Sequence, residues 1–171
     1  MSATDPQAQF EQIVMPHLDA AYNLARWLAG NEHDAADIVQ EACVRAFRFG
    51  GGFRGGNSRS WLLTIVRNTA FSWLKKNRPQ AMISINDDEL LEIEDTSGAA
   101  RSFHGADTTA LRAALEALPV EFREAIVLRE LEGCSYKEIA EVATVPVGTV
   151  MSRLARARRQ LQNHFAQKGD A

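Results

Sequence analysis

Apolar residues recur along this 171-residue chain at the three- and four-residue steps of a helix, not at the alternation of a strand. Phe10, Ile13, Val14, Leu18, Ala21, Leu24, Ala25 and Leu28 fall on one helical face, and Gly30-Asn31 stops that helix. Asp34 is placed to cap the next helix, with Asp37 in its first turn, where the helix dipole favours an acid. The apolar face of this second helix runs through Ile38, Val39, Ala42, Ala46 and Phe47. A loop with five glycines follows, from Gly50 to Asn57, and reads as a hinge or as a surface that another chain approaches closely. Ser58 is placed to cap a third helix with apolar positions Trp61, Leu62, Ile65, Val66, Ala70, Trp73 and Leu74. Its polar face carries Arg67, Asn68, Lys75 and Lys76, and Pro79 ends it. Trp73 and Leu74 are expected in the core.

A second helical region begins near Thr108, placed as the cap of a helix through Leu111, Ala114, Leu115 and Leu118 that Pro119 ends. Phe122, Ile126, Val127 and Leu131 mark the next helix, with Gly133 as its left-handed terminator. Ser135 and Glu138 form a capping box, in which each side chain bonds the other residue's amide. Ile139, Ala140 and Ala143 lie on the buried face, and Thr144-Val145-Pro146-Val147 makes a short turn. The last helix then buries Val150, Leu154, Ala157 and Leu161. Its outer face carries Met151, Ser152, Ala155, Arg156 and Arg159, with Arg153 alongside. A short helix, a turn of about four residues and a basic helix make the layout of a helix-turn-helix that docks on duplex DNA. Thr149 and the first-turn amides are expected to bind phosphate, and Arg153 and Arg156 to reach guanine edges or phosphates. The competing reading is a basic solvated helix in a bundle. Turn length, cap and buried spacing together favour the DNA reader.

The fold class is therefore all-α, with β-branched runs short and helix formers dominant. Two small helical domains are expected: a three- to four-helix bundle over 1–79 and a four-helix domain with the helix-turn-helix over 109–171. Residues 80–108 join them as an acidic, flexible linker.

Charge changes this picture. The net charge of −3 argues against nucleic acid only as an average. Residues 1–79 carry nine Lys/Arg against seven Asp/Glu, 80–108 one against seven, and 109–171 nine against eight. From Ala42 to Asn86 there are eight basic residues and no acid, and from Val142 to Gly169 five basic residues and no acid. Both halves end in a basic stretch, the electrostatic footprint of a nucleic-acid binder.

Candidate chemistry adds little beyond this. Phe53 is a lone aromatic in the glycine-rich loop and can stack on an unpaired base, worth roughly 1–3 kcal/mol. Asn68 both donates and accepts, so it can read a base edge. Cys43 and Cys134 lie far apart without a CxxC partner and read as buried reduced thiols. His17, His33, His104 and His164 are scattered, without a carboxylate at metal spacing, and no glycine-rich phosphate loop follows a strand. No metal, cofactor, small-molecule substrate or enzymatic activity is expected. No apolar run approaches the ~20 residues of a membrane span, and Met1–Gln9 does not look like a secretory signal.

The motifs together resemble a known family. Asp34-Ala35-Ala36-Asp37-Ile38-Val39-Gln40-Glu41-Ala42 with Arg45-Ala46-Phe47-Arg48 resembles the polymerase-binding helix of bacterial sigma factors. Phe53-Arg54, followed by Trp61-Leu62-Leu63-Thr64-Ile65-Val66-Arg67-Asn68-Thr69-Ala70, resembles their promoter-melting, −10-reading segment. Leu118-Pro119, Ile126 to Leu131, Gly133 to Ala140 and Val145 to Leu154 resemble their C-terminal domain. The likeness is to the extracytoplasmic-function (ECF) group of the sigma-70 family, which keeps only two domains.

The resemblance implies roles. Asp37, Gln40, Glu41 and Arg45 would dock on the β′ clamp helices of core RNA polymerase. Phe53 and Asn68 would capture a flipped base of the −10 element, with Arg54, Trp61, Arg67 and Lys75 along the same strand. Thr149, Met151, Ser152, Arg153, Ala155, Arg156 and Arg159 would bind −35 DNA, while that domain touches the β flap. The linker would lie along the RNA exit path. An anti-sigma factor would control a stress response from the bacterial cytoplasm or hold the protein at the membrane. Met151 and Ala155 stand where other members carry larger or charged readers, and offer only apolar contact, for instance to a thymine methyl. The loop before Ser58 is unusually glycine-rich, and Thr144 replaces a glycine common in helix-turn-helix turns. The alternative is a stand-alone helix-turn-helix regulator, which would not need the Asp37–Glu41 surface.

Overall fold

A computed structural model describes residues 5–49, 53, 55–82 and 108–169. Arg54 and the linker positions 83–107 lie outside the described residues. Among the described residues there is no strand. The helices are α1 (Pro6–Ile13), α2 (Leu18–Ala29), α3 (Glu32–Arg48), α4 (Ser58–Asn77), α5 (Thr108–Glu116), α6 (Val120–Ile126), α7 (Tyr136–Ala143) and α8 (Val147–Gly169). They form two compact units, α1–α4 in the first and α5, α6, most of α7 and α8 in the second.

In the first unit α2, α3 and α4 pack pairwise. Its core is Ala21, Leu24, Ala25 and Leu28 of α2, Ala35, Ile38, Ala42 and Ala46 of α3, and Leu62, Leu63, Val66, Ala70 and Leu74 of α4. Small residues dominate α3 here, so its backbone approaches its neighbours closely. The expected single helix over Phe10–Leu28 is instead two, separated by a 3₁₀ turn at Met15–His17. Pro16 is the cause, since it has no amide to continue the ladder and its ring excludes the carbonyl four residues earlier.

Two caps also sit one step from where they were expected. Asn31, not Asp34, caps α3, its Oδ1 accepting the Asp34 amide at 2.8 Å, while its Nδ2 donates to Asp34 Oδ2 at 2.6 Å. Asn57, not Ser58, caps α4 by accepting the Ser60 amide at 3.2 Å. In each case two adjacent polar residues can cap, and the one in extended backbone immediately before the first turn wins. α2 ends at Gly30, whose φ of 90° only glycine adopts without strain. Arg78 closes this corner, donating to Ala29 O and, at 2.9 Å, to Asp34 Oδ2. Trp73 is half-buried under the Arg78 guanidinium, 5.1 Å from the ring centre, rather than in the core, whereas Leu74 is buried. Phe47 is 53% exposed, with its ring edge-on to Phe10. It lies nine residues past Ile38, which on a helix is the opposite side.

His17 ties the turn before α2 to the start of α4, its Nε2 standing 3.0 Å from Ser58 Oγ. Burial, and then the charge of Arg59, hold its pKa below the ordinary value. The imidazole is therefore neutral in the fold at pH values where the unfolded chain, titrating near ~6.5, takes up a proton. Its contribution to stability is complete above that pH and is lost as pH falls below it. His17→Gln should flatten the loss of thermal midpoint between about pH 7 and pH 5. The same slope in both proteins would place the acid sensitivity elsewhere.

In the second unit α8 packs against α5 and α6. Val150, Leu154, Ala157 and Leu161 are all buried, at the expected spacing. The capping box forms in both directions, Glu138 amide to Ser135 Oγ at 3.1 Å and Ser135 amide to Glu138 Oε1 at 3.0 Å. Gly133, at φ 66°, ends the preceding helix as expected. That helix changes character before it ends, because Val127–Leu131 is a π-helical turn. The wider winding displaces Leu131 from the apolar row, so it is 54% exposed although the periodicity places it inside.

The turn between α7 and α8 follows a Schellman pattern, with the Val145 amide bonded to Ala140 O at 3.1 Å. The pattern needs a left-handed residue, and Thr144 supplies it at φ 58°. A β-branched residue is strained in that region. Thr144→Gly should raise the unit's stability by about 0.5–1 kcal/mol, the relief of strain less the added entropy of the unfolded chain. Chemical denaturation checks this, and a lower midpoint would contradict it.

Candidate nucleic-acid and polymerase interface

Asp37, Gln40 and Glu41 are exposed on one face of α3, at successive helical steps. Val44 continues that face and is 47% exposed, a residue the polar pattern does not single out. An acidic rim beside an exposed aliphatic residue suits a protein surface better than a nucleic acid. Asp37 stands 3.6 Å from His33 Nε2, one turn back. The ligand atoms of His33, Asp34 and Asp37 lie within 4.8 Å of one another, so His33 does have carboxylate neighbours, contrary to expectation. Asp34 Oδ2 is already held by Asn31 and Arg78, which makes the group a helix-capping arrangement.

Arg45 falls elsewhere than the expected polymerase face. Its Nη2 donates to Glu41 Oε1 at 2.9 Å and its Nη1 to Thr69 Oγ1 of α4 at 3.3 Å. It also walls an open hollow of about 300 Å³ with Phe49, Trp61, Ile65 and Asn68. Trp61, Ile65, Asn68 and Lys75 step along one side of α4, with Asn68 and Lys75 exposed. Phe53 joins this side, its ring 5.4 Å from that of Trp61. The aromatic thus has a partner, rather than standing alone in the loop. Arg67 lies flat on Phe71, 3.7 Å from its centre, with Nη1 at 3.4 Å from Asn68 Oδ1. Gly55 and Gly56 both have φ near 90°, with open space where a Cβ would sit. Backbone conformation, rather than close approach, is what requires glycine at these two positions. The hollow offers flat aromatic walls, one amide and one guanidinium, a combination that accepts a planar heterocycle with polar edges.

On α8, Met151 and Arg159 are exposed, and Ser152, Ala155, Arg156 and Thr149 half-buried. Ser152 Oγ donates to Gly148 O at 3.0 Å, which leaves its lone pairs outward. The amides of Thr149 and Val150 bond to Pro146 O, so these two are not free for phosphate as expected. Arg153 requires a larger correction. It is 7% exposed and engaged within the unit, so it does not face DNA. Glu124, 1% exposed and likewise engaged, is a second buried charge, on α6. Both lie on their helices' apolar rows: Arg153 is three residues from Val150, and Glu124 is four from Val120. The spacing marks them as inward; their charge suggested otherwise. Arg158 is also held, pairing with Glu130 at 3.1 Å. Cys134 is buried and Cys43 half-buried, both free, and burial pushes the Cys43 thiol up, away from the reactive thiolate.

Comparison with known proteins decides the family. Residues 13–80 match sigma-70 region 2, and residues 108–161 match sigma-70 region 4. The chain belongs to the sigma-70 family, in its ECF group. It is 37% identical over 172 residues to the ECF RNA polymerase sigma factor SigE of Mycolicibacterium smegmatis, an alignment that takes in 96% of this chain and 65% of that one. It is 38% identical over 143 residues to the ECF RNA polymerase sigma-E factor of Escherichia coli K12, covering 76% of this chain and 73% of the relative. The sigma factor RpoE of Bartonella quintana, crystallised in complex with the anti-sigma factor NepR, matches with a TM-score of 0.71 at 28% identity. That match covers 92% of this chain and 96% of the other. This sigma-factor chain thus spans just under two thirds of the length of the Mycolicibacterium relative. None of its described helices is long and apolar enough to cross a membrane.

Proposed function

We propose that this chain is an alternative sigma factor, which binds core RNA polymerase and directs it to specific promoters. The observation that carries the reading is the pairing of two surfaces within the first unit. An acidic face on α3 (Asp37, Gln40, Glu41) suits the polymerase clamp, and a hollow between α3 and α4 (Trp61, Ile65, Asn68) suits an unstacked base. Residues 1–79 would serve polymerase binding and −10 melting, 109–171 would hold −35 duplex DNA and the β flap, and 80–108 would connect them. Flipping a base costs a few kcal/mol, which stacking on Trp61 and Phe53 and hydrogen bonds from Asn68 would offset. Met151, Ser152, Ala155, Arg156 and Arg159 would face the −35 groove. The protein would act in the bacterial cytoplasm as an initiation factor without enzymatic activity of its own. An anti-sigma factor would control it in a stress response, a reading supported by the structural relative that is bound to one.

Adding the chain to sigma-free core polymerase should give start-site-specific transcripts from genomic templates. Transcripts no different from core alone would refute the reading. The stand-alone regulator is separated by Asp37→Arg, which should abolish this gain; activity that survives it would favour a regulator acting without the clamp contact.

A further inference from the structure

We propose that Arg45 is a positioning residue of the base-binding hollow, held in place by Thr69 and restrained by Glu41, so that polymerase and DNA binding are coupled through one guanidinium. This rests on the reading of the chain as a sigma factor.

Thr69 shows that the arrangement is built rather than incidental. It is buried, and its hydroxyl proton is committed to Ile65 O at 2.7 Å. Its remaining lone pairs can only accept, and Arg45 Nη1 stands 3.3 Å from them. One edge of the guanidinium is thereby fixed to α4, beside Asn68. The other edge is taken by Glu41 at 2.9 Å, on the face assigned to polymerase. Arg45 thus stands between the two surfaces, with a wall of the hollow on one side and the acidic face on the other. A guanidinium has five donors and no acceptor. Two N–H groups make these contacts, and the others point toward bulk water or the hollow, where a phosphate or a base acceptor would meet them.

The pair with Glu41 is partly exposed and so weak, about what an i,i+4 helix pair contributes. Weakness suits a contact that is exchanged. In the free protein Glu41 neutralises Arg45 and competes with a nucleic-acid strand for it. When polymerase engages Glu41, the guanidinium keeps its Thr69 anchor and is released toward the strand. Base capture is then favoured on the assembled enzyme over the free chain.

The test measures two affinities by fluorescence anisotropy on the full-length chain: one for core polymerase, one for a labelled random-sequence single-stranded DNA of about twelve nucleotides. Thr69→Val should weaken strand binding by the holoenzyme about five- to tenfold, the loss expected when one charge-assisted contact is misplaced, and Thr69→Ser should restore it. Arg45→Ala should do the same, while its affinity for core polymerase falls far less than that of Glu41→Gln. Glu41→Gln should weaken core binding yet raise strand binding by the free chain about two- to fivefold, as expected when a weak restraint is removed. If Arg45→Ala weakens core binding as much as Glu41→Gln, or Glu41→Gln leaves free-chain strand binding unchanged or lower, the proposal is overturned while the sigma-factor reading stands. If the unaltered chain binds no core polymerase, both fall. Circular dichroism melts of each variant exclude unfolding as the cause.

Discussion

Arg153→Ala is expected to destabilise the C-terminal unit by about 3–5 kcal/mol, the cost of breaking a buried charged arrangement by removing one member. The position looks like a DNA reader because arginine on a recognition helix so often is one. Here the side chain is inside, on the row that includes Val150, Leu154 and Ala157. Its loss would leave behind whatever polar groups now engage it, without water to replace the contact. Arg156→Ala is the contrasting variant. Its side chain is half-exposed on the outer face, so the melting point should stay near that of the unaltered protein. Duplex binding should then weaken by about 1–3 kcal/mol if it reads bases. Urea melts and DNA titrations on the two variants separate the cases. An Arg153→Ala protein that melts normally yet fails to bind DNA would return this arginine to the interface.

The second large effect lies between α5 and α6. Arg123 donates from Nε to Leu115 O at 2.9 Å and from Nη2 to Glu116 O at 3.0 Å and Leu118 O at 2.9 Å. These are the orphan carbonyls at the end of α5, which no later amide reaches. Burial lowers the arginine's pKa, the Glu116 charge opposing, but the group remains a cation. Arg123→Ala should lower stability by about 2–4 kcal/mol, less than the sum of three charge-assisted bonds because such losses are not additive. Arg123→Lys should recover only a minor part, since an ammonium cannot fork to carbonyls on two sides. The same urea melts check both, and full rescue by lysine would show that charge alone suffices.

How far such features can be read in advance depends on their physics. The inward rows of α4 and α8 and the Ser135–Glu138 box are legible because periodicity and capping are local. The proline break at Met15–His17 was equally available, since Pro16 stands in the middle of the apolar pattern that seemed to run through it. The caps at Asn31 and Asn57 were ambiguous because a neighbouring residue could do the same work. Arg123, Arg78 and Thr69 are a different matter. Each acts across eight or more residues, on a carbonyl, carboxylate or guanidinium that no helical spacing brings to mind. The hollow beside Asn68 is likewise a product of packing. Trp61 and Asn68 are predictable from one helix, but Arg45 and Phe49 reach it only when α3 lies against α4.

The π-helical turn at Val127–Leu131 has a consequence for the tolerance of this chain to insertion and deletion. A π turn is an α-helix carrying one residue too many, wound wider to keep its bonds. Deleting one residue there would let the segment relax to ordinary α winding, at little local cost. Everything downstream would then be rotated by about 100°. Gly133 would no longer arrive where a left-handed residue is required, and the Cys134 amide would lose its 2.9 Å bond to Leu128 O. The phase of the helix-turn-helix is set by this surplus residue, so a length change that looks harmless in α6 would be read out as misorientation in α7 and α8.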